Sequence, residues 1–191
     1  MYELAFMERL LYARGPAQIG AVEALPNDPT PSFVADKMLG RLARWLRLVG
    51  CDVLYGTNFS GRGLVHEARR SGRTVLTRDR RIVKDPDAPP HLFIERDRVG
   101  DQLRQVVDAF AIDPFGGLFS RCVSCNAVPV DAEPATVADE VPAYVLMTQP
   151  RFRRCPRCRH VYWDGTHLDR VRGELRRMGF ASAVAEEALV I

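Results

Sequence analysis

Four of the five cysteines in this 191-residue chain form two units with the same spacing. The units are Cys122-Val-Ser-Cys125 and Cys155-Pro-Arg-Cys158, and residues 126–154 separate them. Two residues between a pair of cysteines let both sulfur atoms reach one ion, and two such pairs complete the tetrahedron that zinc prefers. The spacing therefore predicts one structural zinc site, and the intervening length suits the two or three strands of a zinc ribbon.

Other uses of the cysteines are weighed against this one. Cys155-Pro-Arg-Cys158 is similar to a thioredoxin-type redox motif, but that motif lies between a strand and a helix, and His160-Val-Tyr-Trp163 is typical of a strand. A catalytic zinc ion needs an open coordination position, which four thiolates do not leave. His167 is a spare candidate ligand, although a surface or capping role is the simpler interpretation. Cys51 stands alone in an apolar segment and is expected to be a small buried residue.

Two aspartates, Asp36 and Asp79, each follow a short apolar segment. Mg²⁺ and Mn²⁺ prefer carboxylate oxygens, and in phosphodiester hydrolysis they clamp the attacking and leaving oxygens. An aspartate in such a position is also a common helix cap or turn residue, which is the alternative for each one alone. Two acids flanked by basic residues favour a site for a divalent cation and a phosphate group. The flanking residues are Lys37, Arg78, Arg80 and Arg81.

The elements that position these acids alternate between strands and helices. Strands that alternate with helices form a parallel sheet covered by helices, and the ligand site lies beyond the C-terminal ends of the strands. Asp36 and Asp79 both stand at such ends, so we expect them at one edge of the sheet. The predicted strands are residues 33–36, 52–55, 73–79 and 91–95, and the predicted helices are residues 38–49, 64–70 and 101–112.

The pattern changes near Phe115-Gly116-Gly117, after which short β-prone segments replace the long amphipathic helices. The β-prone segments include residues 143–146 and 160–163, and residues 167–178 are predicted to form a closing helix. The predicted units are an N-terminal tail or remnant (1–32), an α/β domain (33–115), a zinc ribbon with its closing helix (116–178) and a C-terminal tail (179–191).

The composition is that of a globular protein, with 47% hydrophobic and 27% charged residues. No apolar segment approaches the roughly 20 residues of a membrane-spanning helix, so a membrane is not an expected partner. Glu3, Glu8 and Arg9 interrupt the apolar residues at the N-terminus. We therefore expect no signal peptide and a cytoplasmic location.

Arginine dominates the basic residues, since only Lys37 and Lys84 among the 27 are lysines. The base composition of the genome explains such a bias, but arginine also binds phosphate through two parallel hydrogen bonds. Residues 37–47 contain four basic residues and no acid, and residues 151–159 contain five arginines and no acid. Such segments suit a polyanion, with a solvated helix face as the alternative for the first.

Several motifs together resemble the Mut-seven carboxy-terminal ribonuclease family. The longest match is residues 33–55, from Phe33-Val-Ala-Asp-Lys-Met-Leu-Gly-Arg to Asp52-Val-Leu-Tyr55. The resemblance covers roughly residues 33–170 and keeps the order of the family's motifs. The other matching segments are residues 73–80, 101–103, 120–126, 141–142, 155–158 and 162–167.

The resemblance implies an α/β fold with a PIN-like parallel sheet flanked by helices, followed by a small zinc ribbon. It also implies a metal-dependent ribonuclease in which Asp36 and Asp79 hold Mg²⁺ or Mn²⁺. Relatives place a further aspartate at the start of the helix before the Thr-Arg-Asp strand, where this chain has Arg62. The candidate helper acids in this chain are Asp52, Asp97 and Glu67.

RNA, structured or single-stranded, is the expected partner of such a protein. Phe152, Tyr162 and Trp163 are candidates either for stacking on bases or for the small core of the ribbon. A catalytically inactive RNA-binding module and a zinc-ribbon scaffold for protein interaction are the alternatives to a ribonuclease. The candidate RNA-binding residues are Lys37, Arg41, Arg44, Arg78, Arg80, Arg153 and Arg154.

Overall fold

The structure is a computed structural model that describes residues 31–181. A four-stranded parallel sheet forms the centre of its N-terminal part. The strands stand in the order β2-β1-β3-β4, so β1 and β3 are central. Central parallel strands are buried on both faces, which is why their sequences are almost continuously apolar. The predicted parallel sheet is confirmed. The strands are β1 (Ser32–Ala35), β2 (Asp52–Tyr55), β3 (Thr74–Thr77) and β4 (His91–Phe93).

Helices cover both faces of this sheet. Phe33 of β1 joins a core cluster with residues of α1 and α4, and Val34 joins a second cluster with Leu64 and Ala68 of α2. Adjacent side chains of a strand point to opposite faces of the sheet, so Phe33 and Val34 enter different cores. The helices are a 3₁₀ turn (Lys37–Leu39), α1 (Gly40–Leu48), α2 (Gly61–Ser71), α3 (Arg80–Val83) and α4 (Val99–Ala109).

The boundaries of all three long predicted helices differ from the sequence prediction, and the one predicted at 101–112 is α4, Val99–Ala109. The segment predicted as one helix at 38–49 begins with the 3₁₀ turn, whose N-cap is Asp36 and whose Met38 N–H donates to the Asp36 carboxylate at 3.4 Å. Helix α2 begins at Gly61, three residues earlier than predicted. It ends at Gly72, which adopts the left-handed conformation with φ 65° that glycine tolerates without strain.

A second sheet of three antiparallel strands occupies the cysteine-containing part of the chain. Phe152 is buried there with Val137, Val141 and Val145, and these residues form a separate small core. The elements are β5 (Val130–Ala132), α5 (Pro134–Val137), α6 (Ala143–Thr148), β6 (Phe152–Arg154), β7 (Val161–Trp163) and α7 (Thr166–Arg177).

The β-prone interpretation of residues 143–146 is wrong, because this segment lies in helix α6. Val145 of α6 is buried in the small core together with Val141, which precedes the helix. Their burial against Phe152 outweighs the preference of the local residues for a strand.

Helix α7, which the sequence analysis grouped with the ribbon, packs against the α/β core. Val171 and Leu175 are buried in the same cluster as Phe33. Arg104 of α4 donates to the Met178 carbonyl at 2.8 Å. The division of the chain into domains stays a prediction, and the proposed tails lie outside the described residues except for residues 31–32 and 179–181.

Among residues 31–181, no helix combines the length and the apolarity that a bilayer crossing demands.

Candidate metal centre and acidic edge

The four predicted cysteine ligands converge on one point. Their sulfur atoms all lie within 4.8 Å of one another. The Cys122 and Cys158 sulfurs are 3.4 Å apart, and those of Cys125 and Cys155 are 3.3 Å apart. A tetrahedral ion with sulfur ligands at ~2.3 Å requires sulfur–sulfur distances of about 3.8 Å. The four cysteines are therefore placed to hold one metal ion, and in the described part of the chain they form the only such group of three or more residues.

Both cysteine units adopt the same backbone turn, and we call residues 122–127 the first knuckle and residues 155–160 the second knuckle. In each, the N–H of the first cysteine donates to the carbonyl five residues later, at 2.8 Å and 2.9 Å. The residue after the second cysteine is left-handed in both, with φ 71° at Asn126 and φ 63° at Arg159. This repetition of one turn directs both sulfur atoms of each pair towards the same ion.

Donor groups lie beside three of the sulfurs, while burial raises the pKa of the Cys125 and Cys158 thiols in the cluster without a metal. The Tyr162 hydroxyl donates to the Cys122 sulfur at 3.1 Å, and His160 Nδ1 lies 3.4 Å from the Cys158 sulfur. Burial raises the pKa of the Cys155 thiol, but the N–H groups of Cys158 and Arg157 outweigh that effect and lower it to about 7. Metal ligation requires the thiolate, so such donors prepare the site for a cation.

The remaining residues weighed for the ribbon have structural roles. His167 is not among the grouped ligands and packs edge-on against Trp163, with ring centroids 6.0 Å apart. Phe152 is buried in the small core, and Trp163 packs against that core, which favours the core interpretation over base stacking. Cys51 is buried as predicted, and burial raises the pKa of its thiol to about 12.

A buried arginine attaches the first knuckle to the α/β core. The Arg47 guanidinium donates to the Val53 carbonyl at 2.9 Å and to the knuckle carbonyls of Val123 and Ser124 at 3.2 and 2.8 Å. Burial lowers the pKa of Arg47, and the neighbouring Cys125 partly offsets that effect. The guanidinium therefore supplies positive charge beside sulfur ligands that are negative when a metal is bound.

An aspartate completes this attachment from β2. The Asp52 carboxylate accepts from Arg73 at 2.6 Å and from the Asn126 amide at 2.7 Å, and it pairs with Arg121 at 3.1 Å. Asn126 Oδ1 in turn accepts the Val53 N–H at 2.9 Å. Burial raises the pKa of Asp52, but the bonds from Arg73 and Asn126 outweigh it and lower the pKa below its usual range.

Replacing Arg47 by methionine is expected to lower the free energy of unfolding by about 2–4 kcal/mol. The substitution leaves three buried or part-buried carbonyl groups without their charged donor. Urea unfolding followed by circular dichroism measures the change. Arg62→Met at an exposed position is the control and should stay within about 0.5 kcal/mol of wild type. Equal effects of the two substitutions would contradict the role of Arg47.

At the C-terminal ends of the strands, Asp36, Thr77 and Asp79 form a group that we call the acidic edge. The Asp36 backbone N–H donates to the Leu76 carbonyl at 2.9 Å, which sets Asp36 beside Thr77. The Thr77 hydroxyl donates to Asp36 Oδ2 at 3.0 Å and accepts the Asp79 N–H at 3.0 Å. One hydroxyl thus connects two aspartates that are distant in sequence.

Asp36 is a buried carboxyl group with few donors. It is 2% exposed, and its carboxylate accepts from the Thr77 hydroxyl and weakly from the Met38 N–H. Burial raises the pKa of Asp36, and the charge of Asp79 raises it further. A carboxylate in this state gains from a nearby cation, because the cation offsets both the burial and the like charge.

Asp79 lies at the surface of the same group. Arg81 binds both of its carboxylate oxygens, with the shortest contact at 2.6 Å, and this hydrogen bonding lowers the pKa of Asp79. The Arg81 side chain is 89% exposed. An exposed ion pair contributes little to stability, so Arg81 is easily displaced by a stronger cation.

The three candidate helper acids lie in different places. Asp52 pairs with Ser32 in the sheet register and therefore lies at the opposite end of the strands from Asp36. Glu67 stands in the second turn of α2 and is bound to Arg70 at 2.7 Å. Asp97 follows β4 on the same side of the sheet as the acidic edge. Within residues 31–181, no third acidic group joins Asp36 and Asp79 in a metal-sized cluster.

The candidate RNA-binding residues divide between the two ends of the molecule. Lys37 and Arg80 are exposed and directly follow Asp36 and Asp79. Arg78 is largely buried between Thr77 and Asp79. Arg41 and Arg44 are half-buried on α1. Two further candidates, Arg153 and Arg154, lie on β6 of the ribbon.

Arg154 is used within the ribbon itself. Its guanidinium donates to the Thr136 carbonyl at 2.6 Å and to the Glu140 carboxylate. Arg153 is half-buried on the same strand, paired in register with Tyr162. Of the two, Arg154 is therefore the less suited to a nucleic acid.

Sequence reasoning did not assign four residues that shape these sites. Thr77 was part of a recognised motif but had no role, and Tyr162 was considered only for stacking or core packing. Arg47 was counted in a basic segment, and Asn126 in a ribbon motif. Arg41, Arg44 and Arg47 recur at every third position of α1. Arg47 differs from the other two because buried leucines, Leu46 and Leu48, flank it, and this is the signal that could have identified it.

A family model described as the Mut7-C RNAse domain matches residues 31–175. The matched range contains the parallel sheet, the acidic edge and both knuckles. Comparison with curated proteins and with solved structures gave no significant match. The family match spans well over half of the chain and agrees with the motif order seen in the sequence, so the chain belongs to the Mut7-C RNAse domain family.

Proposed function

We propose that this protein is a metal-dependent ribonuclease that hydrolyses phosphodiester bonds of RNA at the acidic edge. Membership of a ribonuclease-domain family supports the reaction class. The observation that carries the proposal is the Thr77 hydroxyl, which contacts both Asp36 and the backbone of Asp79. Two aspartates linked in this way give a divalent cation carboxylate ligands from two neighbouring strands.

The residues present fit Mg²⁺ or Mn²⁺. Mg²⁺ is commonly held by one or two carboxylates together with water and substrate phosphate oxygens, and Asp36 and Asp79 supply that number. When bound, such an ion stabilises the charge that develops on the phosphate and lowers the pKa of a water molecule. Burial raises the pKa of the Asp36 carboxyl, and a nearby cation would stabilise its charged form.

The protein's own residues perform the remaining tasks. Thr77 holds the Asp36 carboxylate in a fixed orientation. Arg81, which pairs with Asp79 from an exposed position, would give way to a cation held there. Lys37 and Arg80 stand at the surface beside the two aspartates, where they neutralise the phosphate backbone and orient the RNA.

We also propose that the four cysteines hold a structural zinc ion. The support is an all-thiolate donor set at distances that suit a tetrahedral ion, with no position left for a substrate. The ribbon aids RNA binding in this proposal through Arg153, and its knuckle stiffens the α/β body through Arg47.

Incubation of the purified chain with end-labelled RNA tests the reaction. Cleavage is expected with Mn²⁺ or Mg²⁺ and should disappear with EDTA, because the ion supplies the charge stabilisation at the phosphate. Asp79→Asn should also remove cleavage, whereas Asp108→Asn on the exposed face of α4 should not. Equal cleavage by all three proteins would reject the acidic edge as the site.

A catalytically silent RNA-binding module is the second candidate. Two observations favour it. Arg62 occupies the helix start where the family resemblance implies a further acid, and no third acid joins the pair within residues 31–181. Salt-sensitive RNA binding without any metal-dependent cleavage would select this candidate.

A further inference from the structure

Arg78 carries a buried guanidinium with few partners. Its side chain is only 4% exposed. The Nε and Nη1 atoms are buried and have no hydrogen-bond partner among the described residues. The remaining nitrogen, Nη2, lies 3.4 Å from the Asp97 carboxylate. Buried polar groups in proteins are almost always hydrogen-bonded, so a guanidinium in this state has the capacity for a partner beyond the chain, a water molecule or an anion.

Asp97 is a weak partner for this guanidinium. Its side chain is 81% exposed, and the 3.4 Å contact is longer than the 2.7–2.9 Å of a strong charge-assisted bond. The loop itself is fixed, because Gln102 donates to the Arg96 carbonyl at 2.7 Å. The carboxylate is therefore held near Arg78 by its position in the loop, and its contact with Arg78 is easily exchanged for another anion.

The start of helix α4 adds to the positive potential at this place. Asp97 stands two residues before Val99, the first residue of α4. The N-cap residue Arg98 makes no side-chain cap, and Asp101 is the acidic residue in the first turn of this 11-residue helix. A helix start without a side-chain cap and a neighbouring arginine together favour an anion with several oxygen atoms.

We propose that Arg78 binds a backbone phosphate of the RNA substrate and that Asp97 occupies Arg78 until the phosphate displaces it. This inference rests on the proposed function and names the residue that holds the substrate beside the acidic edge. Arg78 stands between Thr77 and Asp79, so a phosphate held there lies next to the two carboxylates. Asp97 thereby acts as a built-in competitor that lowers the affinity of Arg78 for the RNA phosphate.

Binding of a fluorescent single-stranded RNA in EDTA at low salt tests this proposal without requiring cleavage. Asp97→Asn is expected to raise the RNA affinity about three- to fivefold, the size of one exposed ion pair. The matched control Asp108→Asn makes the same charge change at the exposed C-terminal end of α4, away from the helix start. Asp97→Asn in the Arg78→Met background should add no more affinity than Asp108→Asn does.

Arg78 variants supply the second measurement. Arg78→Met should weaken RNA binding about tenfold and reduce the slope of log affinity against log salt by about one, whereas Arg78→Lys should keep most of the slope. Equal effects of Asp97→Asn and Asp108→Asn would overturn the proposal even where the Arg78 variants do not fold. If the wild-type protein binds RNA but does not cleave it when Mn²⁺ is present, only the proposed ribonuclease activity is overturned, because the affinity measurements need no reaction.

Discussion

The variant Asp36→Asn is expected to lose metal-dependent RNA cleavage while remaining at least as stable as the wild-type protein at neutral pH. The loss should exceed the roughly 10–100-fold cost of removing a group that only supports a metal ligand. Asparagine keeps the shape of the side chain and an oxygen that accepts from Thr77. It removes the charge that the proposed cation requires and that the buried site otherwise disfavours.

The pH dependence gives the sign of the stability change. The pKa of Asp36 is raised in the folded protein above the ordinary value of 3.8, first by burial and then by Asp79. The folded state therefore holds this proton more tightly than the unfolded state, and its contribution to stability falls as pH rises from 3.8 through the raised pKa. The stability gain of Asp36→Asn should be absent at acid pH and appear above that window.

Thermal unfolding at acid and neutral pH, with and without Mn²⁺, measures both effects. Mn²⁺ should raise the melting temperature of the wild type but not of Asp36→Asn, because only a state that binds the ion is stabilised by it. Asp108→Asn serves as the charge-matched control. A variant Asp36→Asn that cleaves RNA at the wild-type rate, or that still gains stability from Mn²⁺, would exclude Asp36 from the metal site.

Removal of the metal ion from the four cysteines is expected to destabilise the α/β core as well as the ribbon. Structural zinc contributes about 10–16 kcal/mol to the folding of small zinc peptides, and a fraction of this should reach the core. The route is Arg47 and Asp52, which connect the first knuckle to α1 and β2. Val123 of the knuckle also packs in the main core cluster.

The two tryptophans separate the responses of the two parts. Trp45 is buried in the main core, and Trp163 packs against the small core of the ribbon. In a Trp163→Phe background, the fluorescence of Trp45 should report a lower unfolding midpoint after treatment with a chelator or after Cys155→Ser. The same background with Arg47→Met should show a smaller dependence on the metal. A Trp45 midpoint that ignores metal removal would show that the knuckle does not support the core.

Much of the α/β fold follows from local patterns in the sequence. β1 was identified because its residues are apolar on both faces, as a central parallel strand requires. The C-terminal end of α2 is likewise local, because Gly72 follows it in a left-handed conformation that glycine tolerates. The β-prone prediction for residues 143–146 is wrong because the burial of Val145 against Phe152 is a tertiary contact that local residue preference does not contain.

The candidate sites divide in the same way. The cysteine spacing alone predicted the grouping of the four sulfurs, since the geometry of each turn is local. The role of Asp52 was not predictable, because its partners Arg121 and Asn126 are about seventy residues away in sequence. Likewise, the weak contact of Arg78 with Asp97 depends on how two loops meet at the sheet edge, which residue types alone do not specify.

The left-handed residue that follows each cysteine pair makes the two knuckles unequal. Asn126 satisfies its turn and also bridges Asp52 and the Val53 N–H, whereas Arg159 has the turn without that bridge. A ribbon transplanted from an unrelated protein, with glycine in place of Asn126, would keep its metal and lose one of its anchors to the edge strand. Transfer of this module between chains therefore depends on the residues that attach the first knuckle, Asn126 among them, as well as on its cysteines.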